Sequence, residues 1–213
     1  MPARIFEAAT LFGIALDAAK GIKTEPRQDG QRAALVSIIF GVVSLEAFLN
    51  EATEMASDFS KEASELEVVK TFSQVLTDAE RLPLESKFVL ANWILTGRSI
   101  DRGAQPYQDF ALLLSIRNEL VHFKPNESFD VVVIPGEMER RQKAVLQKLR
   151  SKNILADLRG AYAWTSPLTT KAVAEWSCDT VSGMVSDLVS KAPQNSQWGY
   201  LLRMLGRGFT PPE

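Results

Sequence analysis

Cysteine is almost missing from this chain. Cys178 is the only one, so no internal disulfide can form and no cysteine-based metal site is available. Such cysteine usage suits a reducing cytoplasm. Histidine is equally scarce, with His122 the single example. That excludes the usual zinc ligand sets and the HExxH helix. The net charge of −2 excludes coating of nucleic acid by bulk charge and leaves only a local basic surface open. Long apolar runs are missing too. The strongest, Ala33 to Leu45, has 13 residues between Arg32 and Glu46. A bilayer needs about 20, so this run reads as a core helix. Ile5 to Leu16 holds a short apolar stretch of the kind a signal peptide uses, but Glu7 and Asp17 interrupt it. The expectation is a cytoplasmic protein with no membrane partner. There is no GxxxxGKS or GxxxxGKT, no strand-linked GxGxxG and no GxSxG elbow, so neither a phosphate loop nor a serine-hydrolase nucleophile is indicated. No cofactor and no metal is implied.

What the chain does have is helical punctuation. Ten prolines and twelve glycines fall mostly between periodic segments. Residues 3–20 alternate Ile5, Phe6, Ala9, Phe12, Leu16 and Ala19 with polar positions, as an amphipathic helix does. After a loop containing Pro26, Asp29 is placed to cap a long helix over about 30–57. Its middle is apolar nearly all round, which sets it at the centre of a bundle. Ser37, Gly41 and Ser44 form a narrow small-residue stripe, suited to close approach by a neighbouring helix. Residues 60–81 read as a more polar surface helix. Pro83 opens Leu84 to Thr96 and Gly97 stops it. Pro106 opens the next helix, which must end near His122 to Lys124 because Pro125 disfavours the α region before it.

Residues 129–134 read as a short edge strand or extended loop, which alone makes no sheet. A basic helix over 137–151 carries Arg140, Arg141, Lys143, Lys148 and Arg150. Ser166 and Pro167 suit the start of a helix over about 167–191, with Val173, Trp176, Val181, Met184 and Leu188 on its core face. The pattern predicts an all-α antiparallel bundle of six or seven helices. Its expected divisions are an N-terminal helix and loop (1–28), the bundle (29–192) and a C-terminal tail (193–213) that docks on the body or on a partner.

The most informative stretch is Arg117-Asn118-Glu119-Leu120-Val121-His122. At about 100° per residue, Tyr107, Phe110, Ala111, Leu114 and Val121 share one face. Asn118 falls in its middle, with Arg117 and His122 on the flanks. Polar groups buried on such a face need partners, either a structural network or a ligand.

Arg117, four residues, then His122, with Asn118 directly after the arginine, resembles the signature of the HEPN superfamily (higher eukaryotes and prokaryotes nucleotide-binding). The earlier Ser44-Leu-Glu46-Ala-Phe-Leu-Asn50-Glu also resembles the helix that precedes the motif helix in that superfamily, where an acidic or polar residue often faces the site. The likeness spans about residues 30–190. It implies a compact helical bundle, usually a homodimer. Many members are metal-independent endoribonucleases acting as toxins, in phage defence or in RNA processing. Others keep the bundle as a nucleotide- or protein-binding module. On this resemblance the catalytic set is Arg117, Asn118 and His122, supported by Glu46 and Asn50. Arg140, Arg141 and Lys143 are the candidate RNA contacts. RNA is the expected substrate, and an antitoxin or other regulatory protein is a further partner.

The chemistry matches the residue types. Metal-free RNA cleavage needs a base for the 2′-OH, an acid for the leaving 5′-oxygen and a cation for the phosphorane. Imidazole, with a reference pKa near 6.5, exchanges protons at neutral pH. Guanidinium grips phosphate through two donors. One histidine per chain does not easily fill both proton-transfer roles, so a two-fold dimer with a composite site is expected. Plainer readings stand beside each role. His122 caps or packs the helix end, Arg117 anchors a dimer through an acid such as Glu46, and Asn118 sets helix register from a buried network. Glu46 and the basic helix are simply structural and solvated faces.

Overall fold

The computed structural model describes residues 7–22, 28–61, 66–122, 140–155 and 164–210, without the side chains of 28–31 and 140. Among these residues the chain is all-α, with eight helices rather than six or seven. They are α1 (Ala8–Lys20), α2 (Gln28–Phe59), α3 (Glu67–Asp78), α4 (Leu84–Thr96), α5 (Tyr107–Val121), α6 (Arg140–Ser151), α7 (Lys171–Ser190) and α8 (Gln197–Gly206). The segment 129–134 and Pro125 lie outside the described residues.

Local chemistry explains most of the boundaries. Pro83 precedes α4, and Gly97 ends it in the left-handed region at φ 67°, its N–H donating to the Trp93 carbonyl at 2.8 Å. A glycine is needed there because a Cβ would strain that backbone. Two starts differ from the pattern. The described α2 includes Asp29 rather than starting after it. Ser166–Leu168 forms a single 3-10 turn, and α7 begins only after Thr170, whose hydroxyl accepts from the Val173 N–H at 3.3 Å. Two good capping residues stand four apart, and the second one caps the long helix.

The centre is α2, which packs against α1, α3, α4, α5, α7 and α8. Ala34, Ile38, Val42, Leu45, Phe48 and Leu49 are buried along it. From Arg32 to Phe59 the helix is long and apolar enough to cross a membrane by length and composition. Half of its most apolar stretch is buried inside the fold. The small-residue stripe gives close approach to α7. A Cβ on Gly41 would lie 3.3 Å from the Val181 Cγ2. Beside it, the Ser37 Oγ lies 3.3 Å from the Ala174 carbonyl, the Ser177 Oγ and the Cys178 Sγ. Burial pushes the Cys178 thiol upward, which keeps it protonated and unreactive.

Both chain ends join the same core. The tail forms α8, whose Trp198 is fully buried and donates from Nε1 to the Ala52 carbonyl at 3.0 Å. The tail therefore docks on its own body. Phe209 stacks on Phe12 at 5.0 Å and meets Phe48 edge-on at 5.4 Å.

At the other end, Glu51 of α2 caps α1. Its Oε1 accepts from the N–H groups of Glu7 at 2.6 Å and Ala8 at 2.8 Å. Burial raises the Glu51 carboxyl above its ordinary 4.5, against the pull of those two donors. A raised carboxylate pKa means that the folded chain holds more protons than the unfolded one across that interval. Stability therefore falls as pH rises from 4.5 through the raised value. We expect Glu51→Gln to remove this part of the slope while keeping one oxygen acceptor. Urea midpoints measured from roughly pH 4 to 7 would test it. A slope unchanged in the variant would refute the assignment. Glu51→Ala should instead cost about 1 kcal/mol through the lost cap.

Candidate functional site

The N-terminal half of α5 is anchored. The Tyr107 hydroxyl donates to Glu85, and burial together with that carboxylate pushes the phenol up to about 12. Phe110 meets Phe88 of α4 edge-on at 5.0 Å. Asp109 pairs with Lys152, just past α6, at 2.7 Å. Leu112, Leu113 and Ile116 complete the buried face. That face differs from the one drawn from periodicity. Ala111 and Leu114 are only half-buried, and Val121 is 52% exposed. The stripe Ala111, Leu114, Asn118, Val121 and His122 is the less buried side of the helix. Its polar groups therefore avoid a burial penalty by remaining wet rather than by joining an internal network.

The last turn brings the motif together. An Arg117 Nη1–H donates to the Asn118 Oδ1 at 3.1 Å, and the His122 backbone N–H donates to the Asn118 carbonyl at 2.9 Å. Asn118 and His122 are exposed, whereas Arg117 is half-buried. The Arg117 Nε is buried and has no hydrogen-bond partner among the described residues. The chain thus holds a cation, an amide and an imidazole within the last turn and a half of α5. His122 is the residue that ends α5, at φ −101°, ψ 21°.

Glu46 pairs with Lys87 at 3.7 Å, so the acid considered as an anchor for Arg117 is engaged by another cation. Asn50 is exposed on the same face of α2. Arg141 and Lys143 are exposed on α6, and the Arg140 side chain lies outside the described set. Lys87 went unnoticed in the sequence although it is only 4% exposed. Its signal was modest: it is the single cation in α4, placed beside Phe88 on the buried side. Among the described residues, no cluster of three or more His, Cys, Asp or Glu side chains could hold a metal ion.

Comparison of the chain with models of known protein families, with curated proteins and with solved structures finds no match in any of the three.

Proposed function

We propose that this protein is a metal-independent endoribonuclease of HEPN type, a cytoplasmic homodimer whose active site forms where two copies of the α5 end meet. One observation carries the reading: Asn118 and His122 are exposed beside Val121 at the end of α5, next to the half-buried Arg117, whose buried Nε lacks a partner among the described residues. A second copy and a bound phosphate would cover the apolar residue and engage the arginine. The sequence pattern supports the same reading, since the spacing of those three residues is what suggested the superfamily.

In the proposed reaction, one His122 takes the proton of an RNA 2′-OH. The O2′ attacks the adjacent phosphorus, the bond to the 5′-oxygen breaks, and the second His122 of the dimer protonates that leaving oxygen. The products carry a 2′,3′-cyclic phosphate and a 5′-hydroxyl. Arg117 holds the phosphate through paired donors and offsets the charge of the phosphorane. Asn118, hydrogen-bonded to Arg117, steers the guanidinium toward it.

The test is cleavage of RNA by purified protein in excess chelator, with wild-type chains mixed and exchanged against inactive His122→Ala chains. If each site needs a histidine from both copies, an equal mixture retains roughly one quarter of the wild-type activity rather than one half. Retention of half would overturn the composite site. No cleavage of any RNA by the wild-type protein would overturn the enzyme.

A further inference from the structure

A second cleft lies at the opposite end of the sequence from the α5 motif, between the C-terminal parts of α7 and α8. It encloses about 330 Å³ and is lined by Ser186, Ser190, Gln194, Arg203, Arg207 and Thr210. Two guanidiniums and four neutral polar groups meet there, and among the described residues no carboxylate lines it. The acid closest in sequence, Asp187, is engaged elsewhere. It pairs with Lys191 at 2.5 Å, and both line a separate cleft with Asn92.

We propose that the α7–α8 cleft is a phosphate-binding site, taking a phosphoryl group of a small phosphoester or of a polynucleotide backbone. The charge balance points that way. The two helix ends contribute about half a negative charge each, which the two arginines exceed. Arg203 lies in the last turn of α8 and Arg207 opens the 3-10 turn that follows it (Arg207–Phe209), four residues on, so their forked donors can converge on one anion. The Arg207 side chain is exposed and makes no hydrogen bond or ion pair among the described residues. Arg203 makes one long bond, from Nη1 to the Pro193 carbonyl at 3.3 Å. The floor is firm, because a Cβ on Gly206 would sit 2.8 Å from the Val189 Cγ2. A volume at the small end of the roughly 300–1,000 Å³ range for ligand pockets suits a compact ligand, and beside the apolar surface of Val189 and Gly206 the two arginines are its charged groups among the described residues. This inference does not rest on the ribonuclease reading.

The experiment titrates the full-length protein with inorganic phosphate, with adenosine 5′-monophosphate and with a 5′-hydroxyl single-stranded RNA. Binding is followed through the arginine side-chain N–H signals in parallel with Arg207→Glu and Ser190→Asp. We expect phosphate to shift the Arg203 and Arg207 signals and each variant to weaken binding about tenfold or more. A matching loss for the mononucleotide alone assigns the site to small phosphoesters. A matching loss for RNA, with competition by phosphate, assigns it to a backbone. If none of the three probes shifts those signals, or if both folded variants bind all three like the wild type, the site does not exist. Circular dichroism of the variants confirms the fold.

Discussion

His122→Ala is expected to cleave RNA roughly 100- to 10,000-fold more slowly than the parent chain, because it removes the proposed group that moves protons in the reaction. The same substitution should leave stability within about 0.5 kcal/mol, since His122 is exposed and, among the described residues, only its backbone N–H is bonded. The two readouts together discriminate. A capping or packing histidine would lose stability and leave the rate alone, while a proton-transfer residue would do the reverse. Arg117→Lys sharpens the test, as it keeps the charge but loses the planar fork that engages two phosphate oxygens. Initial rates in chelator, with melting temperatures beside them, are the measurement. Wild-type rates in His122→Ala would remove the histidine from the mechanism.

The second large effect concerns the fold. Trp198→Ala should cost about 3–5 kcal/mol by urea unfolding, as expected for a fully buried indole replaced by a methyl group. Trp198 packs on Phe72 with ring centroids 4.8 Å apart and holds the Ala52 carbonyl. One side chain thus ties α8 to both α2 and α3. Most of the loss is cavity and transfer energy, and the unmatched carbonyl adds to it. Trp198→Phe keeps a ring near Phe72 but not the N–H, and should fall between the two. A loss below about 1 kcal/mol in Trp198→Ala would mean that α8 is an ornament rather than part of the core.

These two residues illustrate how legible the chain was. The bounds of α4 and α5 follow from Pro83, Gly97, Pro106 and the approach to Pro125, where backbone chemistry acts locally. The central place of α2 follows from its all-round apolarity. The start of α7 is not fixed by sequence, because Ser166-Pro167 and Thr170 are both competent starts and only packing chooses between them. The tail hid α8 because it is only ten residues long and contains two poor helix formers, Gly199 and Gly206. On α5 the apolar stripe was real but its destination was not encoded. Leu114 and Val121 look the same on paper whether they meet a core or open surface. Glu46 shows the same limit, since nothing in its own helix announces Lys87 as its partner. The grouping of Arg117, Asn118 and His122 was legible because residues within one to two helical turns stay near one another in any fold that keeps the helix.

The stack of Phe12 on Phe209 also sets the order in which the molecule can mature. Phe12 and Phe48 leave the ribosome long before Phe209 exists, and at about 5–20 residues per second the wait is roughly ten seconds or more. During that interval two aromatic rings from the first quarter of the chain lack their final neighbour. Nascent chains therefore carry that unfilled contact until Phe209 has been made, and the core closes last at its C-terminal aromatic ring.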